Sequence, residues 1–405
     1  MIKTLTTGCD VGGVRLARPF KVRRLGHVGF NCAELDTTRA FYRDLLGFSV
    51  SDRFDFAQLP DAGDLSGLGD TGGYFMRHGS DHHSFVLFNK RVREAVDKLR
   101  RFAPGVRVNQ ISWQVGSLAE VVNGDEWLKE HGVELQRRGR DWPGSNWHTY
   151  FYDPDGHTNE LFYGMEQIGW QRRSKPGSMR PMIHWKQTPP MPQPSEQNEV
   201  QAAAATGIDI NAGHGVEDEQ LPAIYDVDGV MLPRPFRVTK VGPLALFVQD
   251  VDASIRFYEQ RLGFRTTTTA TWDGFTCAYL RAGLEHHSLV LAPLALRKKL
   301  GFFEDSTTMS LGLGVATFRQ LCAARSFLVE RGARVVTLPA ELHPGIDYAF
   351  HVADPEGHCL QLYFGMEQLA STRNQRRDQN PDQWPAHIDD EPDLFAGETF
   401  MGPLG

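Results

Sequence analysis

Long apolar runs are missing from this 405-residue chain. No stretch of about 18 apolar residues occurs, so no membrane span is expected. The opening MIKTLTTGCDVGG has no apolar core of the kind a secretory leader carries. Cysteine is scarce, and the five present (Cys9, Cys32, Cys277, Cys322, Cys359) are odd in number and scattered, with no CxxC spacing. That pattern fits reduced thiols in a cytoplasm and not a disulfide framework. Basic clusters interleaved with aromatics are also lacking, and the net charge is −7, so nucleic acid is not an expected partner. The composition is otherwise that of a globular protein, with 41% apolar and 23% charged residues. The length exceeds one ordinary core and calls for two or more domains.

The strongest positive signal is a repeat. DVGGVRLARPFKVRRLGHVGFNCAELDTTRAFYRDLLGF, from Asp10, aligns without a gap on DVDGVMLPRPFRVTKVGPLALFVQDVDASIRFYEQRLGF, from Asp226. GSDHHSFVLF then matches GLEHHSLVLA, and YDPDGHTNELFYGMEQIGW matches ADPEGHCLQLYFGMEQLAS. Three similarities in one order establish an internal duplication. Each copy is itself double. LGHVGFNC alternates as a strand does, and an amphipathic helix from about Asp36 to Leu46 follows, closed by Gly47. GYFMRHG and HHSFVLFN read as strands. VNQISWQV, a helix from about Leu118 to His131, and the strands VELQRR, HTYFYD and TNELFYG repeat the order. The expected class is therefore α+β: four βαβββ modules in two pairs. The expected divisions are a first copy over 1–170, a Pro/Gln/Ala-rich and partly extended linker over 171–225, a second copy over 226–371, and a polar tail over 372–405. Linker and tail both offer surface for a homo-oligomer.

The module order, the GHVGF opening, the FYRDLLGF helix end and the DPDGHTNELFYG closing strand resemble the vicinal oxygen chelate superfamily of glyoxalases, bleomycin-resistance proteins and dioxygenases. The double pairing, the HHS strand and the closing acidic residue are similar to the type I extradiol ring-cleaving dioxygenases. The resemblance implies that each pair of modules curls into an open barrel. It also implies that a divalent metal, iron(II) or else manganese(II), is held in the first copy by His27, Gln110 and Glu160. Gln110 stands where the family usually has His, and its oxygen is a weaker donor to iron than imidazole. The same resemblance implies His82, with His83 beside it, as the acid–base group, since imidazole suits proton transfer near neutral pH. Tyr150 would hold a substrate oxygen, with His148 on the same strand face. Asn146, Trp147 and Trp113 are candidates to orient or enclose an aromatic ring, with core packing the alternative for the tryptophans. At the three metal positions the second copy has Pro243, Ser310 and Gln361, so its site reads as lost. The implied activity is oxygen-dependent cleavage of a small catechol-like substrate. The alternatives are a metal-dependent enzyme of glyoxalase, epimerase or hydrolase type that needs no O₂, and a binding protein with a decayed site.

Overall fold

The computed structural model describes residues 8–59, 62–96, 108–169, 171–180, 182–304 and 306–369; nearly all of the polar tail lies outside them. In chain order the first copy comprises β1 (Cys9–Val11), β2 (Val14–Leu16), β3 (Arg24–Cys32), α1 (Leu35–Ala40), β4 (Ser49–Asp55), β5 (Gly72–Arg77), β6 (Phe85–Asn89), α2 (Lys90–Val96), β7 (Val108–Gln114), α3 (Leu118–Glu130), β8 (Leu135–Arg140), β9 (Trp147–Tyr152) and β10 (Thr158–Tyr163). The linker adds β11 (Ile183–His184) and α4 (Glu196–Ala205). The second copy runs through β12 (Tyr225–Val227), β13 (Val230–Leu232), β14 (Val238–Val248), α5 (Val251–Phe257), β15 (Arg265–Trp272), β16 (Phe275–Arg281), β17 (Leu289–Pro293), α6 (Leu296–Lys299), β18 (Thr308–Val315), α7 (Phe318–Glu330), β19 (Arg334–Val336), β20 (Ile346–Ala353) and β21 (Cys359–Met366).

Among the described residues the first copy forms a mixed sheet ordered β11-β8-β9-β10-β7-β3-β6-β5-β4, with β1 and β2 paired separately as a two-stranded sheet, as β12 and β13 are in the second copy. The second forms another, ordered β15-β16-β17-β14-β18-β21-β20-β19. The opening strands of the two modules, β3 and β7, run antiparallel at the centre, and each is flanked by its own module's closing strand in parallel. The same local chemistry builds both copies. Ser117 and Thr317 cap α3 and α7 by accepting the N–H of Glu120 and Gln320, the spacing of a capping box. Gly47 and Gly263 follow the first helices with φ of 81° and 83°, a conformation that suits glycine.

Two elements depart from the sequence reading. The helix expected over Asp36–Leu46 is split: α1 ends at Ala40, and Phe41–Leu45 forms a π turn. The linker is less extended than its composition implies. Ser195 caps α4 by accepting the Asn198 N–H, and glutamates in the first turn with an alanine run beyond favour a helix.

The copies clasp each other reciprocally. The Tyr42 hydroxyl, in the first copy's π turn, donates to Asp354 of the second copy's closing turn at 3.1 Å. Tyr258, its repeat counterpart, donates to Asp153 at 2.9 Å. Arg18 reaches the Glu259 carbonyl, and Arg234 reaches that of Asp44. One hydrophobic core runs through both copies, from Phe30 and Phe85 to Leu246 and Leu360.

Candidate metal centre and cavity

Strand register assembles the polar centre. His27 on β3 faces Ser112 on β7, and Gly29 faces Gln110. Glu160 on β10 pairs with Ser112 on one side and Tyr150 on the other. Because alternate residues share a face, His27, Gln110, Ser112, His148, Tyr150 and Glu160 all belong to the same side of the sheet. His27 and Glu160 have no solvent exposure, and His27 Nε2 lies 2.9 Å from Glu160 Oε2. Neither ring nitrogen of His27 makes a hydrogen bond. Glu160 is held from behind: Asn146 Nδ2 donates to Oε1 at 2.7 Å and the Ser112 hydroxyl donates to Oε2.

These donors fit a cation in part. A spacing near 3 Å is what two ligands at right angles, each about 2.1 Å from one ion, would show. A buried imidazole with both nitrogens unsatisfied is costly unless something binds it. Among the described residues no three His, Cys, Asp or Glu side chains are placed to hold one ion. A third protein donor would therefore be an amide or phenol oxygen, and Gln110 lines the same cavity as His27.

That cavity encloses about 480 Å³. Its polar end presents His27, His83, Asn109, Gln110, Asn146 and Tyr150. Phe54, Phe56, Phe75 and Phe88 give it an aromatic wall, and Arg93, Gln136, Arg137, Asp141 and Thr158 also line it. Trp142, Pro143 and, from the linker, Met182 complete the rim. Strand β11 brings Met182 and His184 there by pairing with β8, Ile183 opposite Arg140 and His184 opposite Gly139.

The histidine pair lies in the turn before β6 and not on the strand itself, because His82 N–H donates to the Glu166 carbonyl at 2.8 Å. His83 lines the cavity, with its ring centroid 4.4 Å from that of His27. His82 stands behind it, its Nε2 3.5 Å from Asp52 Oδ2. Burial, reinforced by the His27 and His82 rings, pushes the His83 imidazole well below its ordinary value. His148 shares the face of Tyr150, with ring centroids 4.7 Å apart, but its Nε2 meets Arg137 at 3.0 Å. Burial takes it down to about 4. Burial and then Glu160 push the Tyr150 phenol well above its ordinary value, so it remains a donor.

The two tryptophans occupy the opposite face. Trp113 packs against Phe264 of the second copy and donates to Asn159, while Trp147 packs against Trp185 of the linker. Neither lines the cavity, whereas Asn146 does. Sequence reasoning missed Ser112, two residues from Gln110 and thus on its face, and the cavity phenylalanines. It also missed Arg137, whose guanidinium lies 4.3 Å from the Tyr150 ring centroid and is gripped by both oxygens of Asp141 at 2.7 Å.

The second copy shows the same framework with its donors satisfied. Gln361, in the place of Glu160, has its amide nitrogen 2.8 Å from His343 Nδ1 and 3.0 Å from His351 Nε2. Burial holds His343 down to about 4 and His351 well below its ordinary value. The amide donates to two neutral imidazoles where the first copy leaves His27 open.

Residues 24–161 and 240–362 match the sequence profile of the Glyoxalase/Bleomycin resistance protein/Dioxygenase superfamily. No curated protein matches the chain in sequence. Among solved structures, the fold is similar to that of a Mn(II)-bound glyoxalase from Novosphingobium aromaticivorans, at 13% identity and a TM-score of 0.52 over 91% of this chain and 92% of that one. It is also similar to a catechol 2,3-dioxygenase, at 17% identity and a TM-score of 0.51 over 89% and 92%. A 2,3-dioxygenase from Pseudomonas sp. KL28 gives 15% identity and a TM-score of 0.53 over 89% and 97%.

Proposed function

The chain belongs to the Glyoxalase/Bleomycin resistance protein/Dioxygenase superfamily, and on that premise we propose that its first copy is a ring-cleaving dioxygenase of extradiol type. Its substrate would be a catechol-like diol and its cofactor a divalent metal, iron(II) before manganese(II). The observation that carries this reading is the buried His27–Glu160 pair, donors 2.9 Å apart, at the polar end of an aromatic-walled cavity. His27 and Glu160 would hold the ion, with Gln110 as the third protein donor. When bound, it would polarise the diol and bring O₂ to the same centre.

The chain's own groups do the rest. Asn146 and Ser112 fix the Glu160 carboxylate so that it meets His27 without further movement. The phenylalanine wall takes up the ring of the substrate and excludes water, which strengthens every polar contact inside. His83, neutral and facing the cavity, accepts a proton from the diol. Tyr150 keeps its proton and donates to an oxygen of substrate or product.

One observation favours a second reading, a Lewis-acid enzyme of glyoxalase type that needs no oxygen: an amide, not an imidazole, stands at the third donor position. The test separates the two. Protein loaded anaerobically with Fe(II) or Mn(II), its metal content measured, is mixed with catechol and 3-phenylcatechol in an oxygen electrode. O₂ uptake with a yellow product supports the dioxygenase. Bound metal without O₂ uptake across a catechol panel favours the second reading, and absence of bound metal removes both.

A further inference from the structure

Both copies keep the histidine pair in the same geometry, with Nδ1 to Nδ1 distances of 3.0 Å for His82–His83 and 2.9 Å for His286–His287. What differs lies behind the pair. Asp52 is in β4 just after a register irregularity between Val50 and Asp52. The second copy has the matching irregularity between Thr266 and Thr268, with Thr268 at the corresponding place. Bulges of this kind re-aim a side chain. Asp52 is only 3% exposed, and its Oδ2 lies 3.5 Å from His82 Nε2. It is held there by the Ser174 hydroxyl of the linker, which donates to Oδ2 at 2.9 Å, and by the Arg53 N–H, which donates to Oδ1 at 2.9 Å. Thr268, by contrast, bonds its neighbour's carbonyl at 3.4 Å. The other carboxylate near His82, Glu166, is engaged by the Lys175 N–H and by the Lys175 and Arg180 side chains.

We propose that Asp52 is a positioning residue that sets the tautomer of His83 through His82, so that His83 presents a bare Nε2 to the cavity beside His27. Two imidazoles joined Nδ1 to Nδ1 share one proton. A carboxylate facing His82 Nε2 favours the N–H at that nitrogen, which leaves His82 Nδ1 as acceptor. His83 must then donate from Nδ1, and its lone pair at Nε2 points into the cavity. The second copy has no carboxylate at this place to impose that direction. The linker takes part, because Ser174 fastens the aspartate.

The inference rests on the reading of the cavity as an active site, yet the tautomer is measurable without turnover. The full chain, labelled with ¹⁵N in its histidine rings, is recorded by two-bond ¹⁵N–¹H correlation, with His83 assigned by the signals lost in His83→Gln. The wild type is expected to show His83 as the Nδ1–H form. Asp52→Asn, whose remaining oxygen still accepts from Arg53 while its amide nitrogen takes the place of Oδ2 and offers N–H to His82 and to the Ser174 oxygen, is expected to reverse the relay and give the Nε2–H form. Asp52→Thr, the second copy's residue, is expected to shift the pattern the same way. Unchanged His286 and His287 signals certify the fold in each variant. A wild-type His83 in the Nε2–H form, or a His83 pattern indifferent to both substitutions, overturns the proposal. An Asp52-dependent pattern in a protein that never turns over a catechol keeps the relay and removes only the proposed activity. In an active protein, Asp52→Asn should lower kcat at least tenfold with KM little changed; an equal kcat would overturn the relay's role.

Discussion

Replacing Glu160 by Gln tests the centre with the least disturbance, because the second copy already carries Gln361 at this place. There the amide nitrogen sits 2.8 and 3.0 Å from two imidazole nitrogens. In Glu160→Gln the amide oxygen can still accept from Asn146, while the amide nitrogen takes the place of Oε2, 2.9 Å from His27 Nε2. The variant thus swaps a fully buried carboxylate for a neutral group that satisfies the orphaned imidazole. Burying a charge is expensive, so the metal-free fold should change by no more than about 1 kcal/mol in either direction. Metal binding should suffer heavily. A charged donor is lost and an N–H points at the space the ion needs, so affinity should fall at least about 100-fold, or about 2.7 kcal/mol. Urea unfolding with and without Mn(II) reads both quantities. At a metal concentration about 100 times Kd the wild type should gain about 2.7 kcal/mol of stability, and the variant almost none. Equal metal-induced shifts in the two proteins would show that Glu160 is not a ligand and would refute the assignment of the centre.

The reverse change, Gln361→Glu, places a carboxylate against His343 and His351 and should raise the metal content measured by elemental analysis by up to one equivalent per chain. Gly144→Ala should cost on the order of 2 kcal/mol in denaturant unfolding and disturb the cavity, since Gly144 has φ of 92° and an added Cβ would lie 2.8 Å from His83 Cε1. Burial lifts the Asp354 carboxyl from 3.8 to about 7, so the folded state holds its proton more tightly than the unfolded chain. That contribution, on the order of 4 kcal/mol at most, is fully present below about pH 4 and is lost as pH rises through about 7. Asp354→Asn should accordingly flatten the difference in urea midpoint between pH 5 and pH 8.

The duplication, the four modules and most strands were legible because period-2 alternation and glycine punctuation are local, and because the repeat supplies its own internal alignment. His27, Gln110 and Glu160 were legible through the family motif, and the register places all three on one face. What escaped the sequence depends on contacts between distant segments. Trp113 and Trp147 sit one residue from facing the cavity, and only the pairing of β7 and of β9 with β10 decides which side they take. Arg137 reads as an ordinary exposed strand residue until Asp141 and Tyr150 are brought beside it. The order of His82 and His83, one behind and one in the cavity, follows from a backbone bond to Glu166 that lies 84 residues on. The linker's share of the cavity rim, Met182 and His184, was hidden because neither composition nor periodicity shows where a crossing segment lands.

On the proposed reading, the asymmetry between the copies follows from what a metal centre demands of a fold. A ligand side chain has to be buried, pre-positioned and unsatisfied, and each such atom counts against stability until the ion arrives. His27, whose ring nitrogens make no aligned hydrogen bond although Nε2 lies 2.9 Å from Glu160 Oε2, is that kind of residue. The second copy has the opposite arrangement at the same strand positions: Pro243 replaces His27, and Gln361 supplies the donor its neighbouring imidazoles lack. A duplicated chain can hold both states because the reciprocal clasp of Tyr42 with Asp354 and Tyr258 with Asp153 ties the copies into one core. A copy whose central amide and imidazoles are paired with one another can then support one whose His27 makes no aligned hydrogen bond. If that is the division of labour, Tyr258→Phe, which loosens the clasp at the first copy's own closing turn, should weaken Mn(II) binding as well as lower stability by about 1 kcal/mol. Tyr42→Phe, acting on the second copy's turn, should lower stability by a similar amount and leave Mn(II) affinity unchanged. Equal effects on metal affinity would mean that the copies share stability without any such division.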